Sequence, residues 1–304
     1  MSDRKRASAE LLQQVAKLDT QILAALDHRA RLSRKLRELR ADEAPQLPSE
    51  RRSLHDLVAR GHGDMPPESV EAIFREIFSA CLALELPVKV VYAGPEGGPA
   101  HGASCARFGK TADLHAVETT AAALEEVVRR RAEFAVVPIE TKLEGIVQPT
   151  VLALVATDLR IVSAVESSGT SASARPGAGD AGSGEGGERV RYAIVGTRPS
   201  SRTGEDVTAL VFHVPDAPGA LLDVLRQFAE RGVNLLRIQS QPTQVAGPTQ
   251  IVGQTSQVAG EGTGWSYLFF VEVVGHPTDR PLVTAFEEVK RLTKFFKVLG
   301  SYSV

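Results

Sequence analysis

The chain has 304 residues, of which 43% are hydrophobic and 24% charged, so it exceeds one ordinary domain and is too apolar to be disordered throughout. Lys and Arg number 35 against 37 Asp and Glu, a net charge of -2 that gives no overall electrostatic reason to expect nucleic acid or an acidic membrane as partner. Two cysteines, Cys81 and Cys105, cannot build a disulfide framework. With no CxxC or Cys/His spacing they give no metal site either, and they read as reduced packing residues. No apolar run reaches the ~20 residues of a membrane helix, and the opening MSDRKRASAELL lacks a signal-peptide core. A cytoplasmic protein without a cofactor is expected.

Leu11, Val15, Leu18, Ile22, Ala25, Arg29, Leu32, Leu36 and Leu39 alternate spacings of four and three. That heptad seam predicts one long helix over roughly 8–40. A break at Ala44–Pro48 precedes a short helix from Ser49 to Val58, and Pro66-Pro67 opens a third with Val70, Ile73, Phe74, Ile77 and Leu82 on its apolar side. The seam from Leu11 to Leu39 spans about 45 Å, more than the shorter helices can cover, which predicts a second copy as its cover. Arg29 lies on this seam, where a lone charge is costly. Either a carboxylate of the second helix pairs with it, or it serves an anion site inside the bundle.

From Val88 the pattern changes. Val88–Tyr92 reads as a buried strand running into the turn Gly94-Pro95-Glu96-Gly97-Gly98. A helix (Thr119–Arg131), a strand (Phe134–Ile139), a helix (Val147–Ala156) and a strand (Arg160–Val162) follow, an α/β unit with a partly parallel sheet. Glu166 to Glu188 is nearly all Gly, Ser, Ala and charge, a flexible linker by composition, before the strand-like Val190–Val195. The rest, from Val207 to Ser301, reads βαββαβ, the ferredoxin-like split unit, with a polar insertion at 241–264. The chain is thus multidomain: an all-α domain (1–86), a partial α/β lobe (87–203, linker 166–188) and a ferredoxin-like α+β unit (204–304).

Leu11 through Arg40, Ser49-Glu50-Arg51-Arg52 and Ile73–Glu85 resemble the helical (AroQ-type) chorismate mutases. The resemblance implies an intertwined dimer whose pockets bind a dicarboxylate ether and rearrange it by a pericyclic reaction, with cations gripping the carboxylates. Carried over position by position, it assigns Arg29, Arg40, Glu50 and Glu85 to that pocket. The arginine that reaches the partner's pocket in the family is Leu12 here, which lowers the expected activity.

Tyr92–His101 resembles the prephenate dehydratase signature Gly-Pro-Glu-Gly-Thr-Phe/Tyr-Ser, and Val137–Val147 resembles its Pro-Ile-Glu-Asn-Ser-x-Glu-Gly-x-Val. The resemblance implies substrate contacts at Glu96, Gly97, Glu140 and Glu144 and a catalytic remnant at Arg191, in Val190-Arg191-Tyr192 where the family reads Thr-Arg-Phe. The hydroxyl positions have become Gly98, Ala100, Lys142 and Val190, while the backbone-shaping Gly94, Pro95, Gly97, Pro138 and Gly145 remain. No chain is left for the family's second lobe except Arg160–Arg189, most of it linker.

Asp216–Leu221, Gly232–Leu235 and Ile238–Pro242 resemble the ACT domain of phenylalanine-regulated enzymes. That implies edge-to-edge pairing and L-phenylalanine at Gly219, Ala220, Leu221, Asn234, Gln239 and Ser240. The domain order as a whole resembles the bifunctional chorismate mutase/prephenate dehydratase (P-protein) family of phenylalanine biosynthesis. Chorismate or prephenate is the implied ligand, with no nucleic acid and no membrane. Two readings stand: an enzyme keeping the mutase step with the dehydratase step lost, or a non-catalytic paralogue that senses phenylalanine or binds a partner enzyme.

Overall fold

The computed structural model describes residues 2–39, 63–85, 88–110, 112–169, 188–243 and 266–303. The chain divides into two compact units. The first holds α1 (Ser2–Leu39) and α2 (Pro67–Glu85). No Gly or Pro interrupts α1, whose Ala, Leu, Lys, Arg, Gln and Glu content favours the helix throughout. Among the described residues its seam is exposed: Leu11 is 62% and Leu18 57% exposed, with Val15, Ile22, Leu32 and Leu39 exposed as well. The predicted second helix, with Arg40 and Glu50, lies outside the described residues.

The second unit is one sheet of ten strands. These are β1 (Lys89–Ala93), β2 (Asp113–Val117), β3 (Phe134–Thr141), β4 (Gly145–Ile146), β5 (Arg160–Gly169), β6 (Glu188–Gly196), β7 (Asp206–His213), β8 (Leu235–Thr243), β9 (Ser266–Val274) and β10 (Phe295–Ser303). Its helices are α3 (Pro99–Phe108), α4 (Thr120–Val128), α5 (Gln148–Ala156), α6 (Ala220–Ala229) and α7 (Arg280–Leu292). The strand order is β2-β1-β3-β6-β5-β10-β7-β9-β8, with β4 paired to β3. Strands β1, β2 and β3 are parallel, as the βα alternation predicts, and β10-β7-β9-β8 is the antiparallel ferredoxin-like half. Helix α3 and strands β2 and β4 are additions to the predicted elements.

The two halves meet where β10 runs parallel to β5 at Gly300 and Ile161. A Cβ on Gly300 would collide with the Ile161 backbone, and its φ of 150° favours glycine besides, so the junction requires this residue. Arg160 donates to the Val298 carbonyl from one side, and Lys297 Nζ donates to Val155 O at 2.8 Å and to Thr157 O from the other. Burial and the nearby Arg160 push the Lys297 ammonium below its ordinary range.

Across this junction the halves share one core. Val137, Ile139, Ala193 and Val195 of the lobe, with Val151 and Leu154 of α5, join Ala209, Val211, Leu268, Phe270 and Leu299 from the helix-free face of the ferredoxin-like half. The opposite face of that half packs on α6 and α7 through Leu210, Phe212, Val224, Phe228, Val271 and Phe286. Strand β7 is consequently buried along its whole length.

Two linker boundaries are corrected. Glu166–Gly169, assigned by composition to the linker, extend β5 and pair with Arg191–Glu188 of β6, which itself takes in Glu188 from the other end. Gln241–Thr243, at the edge of the polar insertion, belong to β8 and pair with Leu268–Ser266. Backbone pairing with a neighbouring strand extends each element past the point where its apolar pattern stops.

Candidate functional site

Glu140 and Arg191 are register partners on β3 and β6, beside a bulge between Pro138 and Glu140. Arg237 and Glu272 are partners on β8 and β9, again beside a bulge, between Leu235 and Arg237. The shared core brings the two pairs together with Tyr302 of β10. Arg191 Nη2 donates to Glu272 Oε1 at 2.8 Å and Nη1 to Tyr302 Oη at 2.8 Å, while Tyr302 Oη donates to Glu272 Oε1 at 2.5 Å. Arg191 Nε lies 3.0 Å from Glu140 Oε2, but its N–H is not aimed at that oxygen, so this contact is coulombic only. Arg237 donates to Glu140 and stands 3.7 Å from Glu272 Oε2.

The cluster holds two guanidiniums, two carboxylates and a hydroxyl, and so is neutral as a whole. Burial alone would lower the Arg191 guanidinium, but Tyr302, Glu272 and Glu140 hold it above its ordinary value. Burial and the Glu272 charge raise the Tyr302 hydroxyl, keeping it a proton donor at neutral pH. A lone guanidinium here would face several kcal/mol of desolvation, which its two carboxylates offset.

Gln239, two residues beyond Arg237 on β8, is the one predicted effector residue that reaches the lobe. The Ile146 N–H donates to its Oε1 at 3.0 Å. A Cβ on Gly145, whose φ is 74°, would lie 2.6 Å from Gln239 Nε2. Its left-handed backbone favours glycine at 145, and the Gln239 amide is seated closely on it. Ser240 and Asn234 are exposed on β8 and before it. Gly219, in the left-handed region, caps α6, with Ala220 and Leu221 in its first turn.

The turn Gly94–Gly98 is built as its glycines predict: Gly94 has φ 130° and Gly97 φ 77°. The Gly97 N–H donates to His101 Nδ1 at 3.2 Å, and His101 Nε2 sits 3.6 Å from Cys105 Sγ. Burial, with Glu96 and Cys105 nearby, raises the neighbouring Tyr92 hydroxyl. Cys105 is therefore half-buried beside a histidine, whereas Cys81 is a buried packing residue. Glu96 and Glu144 are exposed, and among the described residues neither they nor Gly97 bond to the arginine cluster. Of the dehydratase-like positions, the fold brings together only Glu140 and Arg191.

In the helical unit, Arg29 is half-buried. Its guanidinium carbon sits 4.8 Å from the Phe78 ring centroid, and Nη1 is 3.5 Å from Ile77 O. The carboxylates of the predicted second helix lie outside the described residues. Among the described residues, the aromatic face of Phe78 carries part of the desolvation cost of Arg29. Glu85 ends α2, and its side chain lies outside the described residues.

Three family models match in the order of these elements: chorismate mutase type II over residues 11–86, prephenate dehydratase over 90–168 and the ACT domain over 208–291. The chain is also 26% identical to the bifunctional chorismate mutase/prephenate dehydratase of Aquifex aeolicus (strain VF5), over 96% of this chain and 97% of that one. The chain belongs to the bifunctional chorismate mutase/prephenate dehydratase family. That alignment runs over 367 positions against a chain of 304 residues, so it closes only through gaps on this chain's side. A prephenate dehydratase of Mycobacterium marinum (strain ATCC BAA-535 / M) is 36% identical over 116 residues, 38% of this chain and 31% of that one. The solved prephenate dehydratase of Arthrobacter aurescens, in complex with L-Phe, is 26% identical with a TM-score of 0.54, covering 71% of this chain and 90% of that one.

Arg237, Glu272 and Tyr302 are absent from the residues singled out in the sequence. Glu272 did carry a signal: it interrupts the apolar run Leu268-Phe269-Phe270-Val271-Glu272-Val273-Val274, where a charge demands a partner. No helix among the described residues is long and apolar enough to cross a membrane.

Proposed function

We propose that this member of the phenylalanine-biosynthesis family keeps the first of the two family reactions, chorismate to prephenate, and has lost the second. The observation that carries this reading is the β5–β6 hairpin. These strands pair from Arg160–Gly196 to Gly169–Glu188, and only residues 170–187 join them. A hairpin stands where the family's second lobe would be inserted, and so short a connection cannot close a cleft over prephenate.

Dehydration with decarboxylation also needs a proton for the leaving hydroxyl. The expected donor position is Val190, buried in β6 opposite Thr141 and Ser167. The mutase step makes no such demand. It is a pericyclic rearrangement in which no side chain takes or gives a proton. Arg29, Arg40, Glu50 and Glu85 are assigned to its pocket, the arginines as cations for the substrate carboxylates, inside a homodimer covering the exposed α1 seam. The ACT-like half is assigned L-phenylalanine at Gly219, Ala220, Leu221, Asn234, Gln239 and Ser240, and the protein a cytoplasmic place. The purified chain given chorismate tests this: it should consume chorismate, accumulate prephenate and form no phenylpyruvate.

A second reading, a non-catalytic regulatory paralogue, is favoured by Leu12. The family places an arginine there, and a charge-assisted carboxylate contact is lost with it. Undiminished chorismate at high enzyme concentration would favour this reading over the first.

A further inference from the structure

The dehydratase-like half retains one motif arginine, and the chain's own side chains surround its guanidinium. Glu272 and Tyr302 of the ACT-like half occupy its two terminal nitrogens, and Glu140 of the lobe stands against its Nε. We infer that Glu272, seated by Tyr302, is an intramolecular plug: it fills the carboxylate site of Arg191 and closes the lobe to carboxylate ligands. The inference rests on the reading above that the dehydratase step is lost, with Arg191 as its catalytic remnant.

Three observations carry it. Glu272 is only 3% exposed and shares its strand face with the buried Leu268 and Phe270, where the two arginines and the Tyr302 hydroxyl hold its charge. The arrangement of Glu140 and Glu272 against Arg191 and Arg237 is what a bound dicarboxylate would require, with the protein's own side chains as the two carboxylates. An external carboxylate could take the place against Arg191 Nη2 only by displacing Glu272, whose side chain is 5% exposed.

The plug makes a chemical-rescue experiment decisive. The full-length chain and its Glu272→Ala variant are melted in rising formate, acetate or malonate, with chloride at matched ionic strength as the control. The wild type should show no shift beyond chloride. Glu272→Ala should melt several degrees lower and recover part of that loss saturably with formate or acetate, which refill the vacated site. A Glu272→Ala response no larger than that of the wild type, or a saturable carboxylate shift in the wild type itself, would overturn the inference. Should Glu272→Ala not fold, the double variant Arg191→Met with Glu272→Met leaves Glu140 and Arg237 to neutralise each other. It should fold and melt above either single Met variant, and a double variant no better than the singles overturns the plug. The prephenate assay is independent of these melts. Failed rescue without phenylpyruvate formation sinks the plug alone, while phenylpyruvate from the wild type sinks the reading beneath it.

Discussion

Arg191 Nη2 and Glu272 Oε1 lie 2.8 Å apart, although 81 residues separate them in sequence and they stand on strands of opposite halves of the sheet. The pair ties a strand of the dehydratase-like lobe to a strand of the ACT-like half. Its stability consequence is direct. Arg191→Met would leave Glu140 and Glu272 with Arg237 alone, and one buried carboxylate uncompensated. A loss of about 3–5 kcal/mol is expected in denaturant unfolding. Arg191→Lys keeps the charge but not the planar fork and should recover only part of it. Unfolding of Arg191→Met at the wild-type midpoint would show that the cluster contributes nothing.

The β5–β10 junction rests on Gly300. Adding a single methyl there meets the Ile161 backbone, which no rotamer change relieves, at a φ that disfavours any side chain. Gly300→Ala should destabilise the second unit by at least ~2 kcal/mol, through strain and the parting of the shared core. A thermal midpoint within a degree of the wild type would contradict the account of the junction.

His213, buried on β7, should give the stability a pH dependence. Burial, and then the nearby Lys294, lower its pKa in the folded state from the ordinary 6.5. The unfolded chain therefore binds the proton first. The contribution of a neutral His213 is fully present above about pH 6.5 and is lost as the pH falls from there toward the lowered folded value. Replacing it as His213→Gln should flatten that part of the stability profile. An unchanged slope below pH 6.5 would assign the dependence to other groups.

In the helical unit the prediction concerns rate. If Arg29 lines the mutase pocket, Arg29→Ala should lower chorismate consumption by about a hundredfold or more, the usual scale for a lost charge-assisted contact. Leu12→Arg should raise it by restoring the charge. No change in either folded variant would place the rearrangement elsewhere or nowhere in this chain.

The element types were legible in sequence because their periods are distinct. The heptad run gives α1, the apolar runs give β1 and β3, and the βαββαβ alternation gives the ACT-like half. What escaped was non-local. Helix α3 (Pro99–Phe108) is short and rich in small residues, so it carries little amphipathic signal. The ends of β5, β6 and β8 depend on partner strands rather than on their own residues. The motifs single out Arg191 and Glu140, but Arg237, Glu272 and Tyr302 come from elements far along the chain. Only the packing of the ACT-like sheet face over the lobe brings them to Arg191, and local pattern does not encode that. Gln239 shows the same limit: its motif points to an effector, while its amide rests on Gly145 and Ile146.

The central claim is that one of the family's two reactions persists and the other is gone. The most direct measurement follows the purified chain, free of host enzyme, with chorismate, quantifying chorismate, prephenate and phenylpyruvate in one time course. The account predicts that chorismate falls, prephenate accumulates in equal amount and phenylpyruvate does not rise above the uncatalysed background. Phenylpyruvate formed at an enzymatic rate would contradict it.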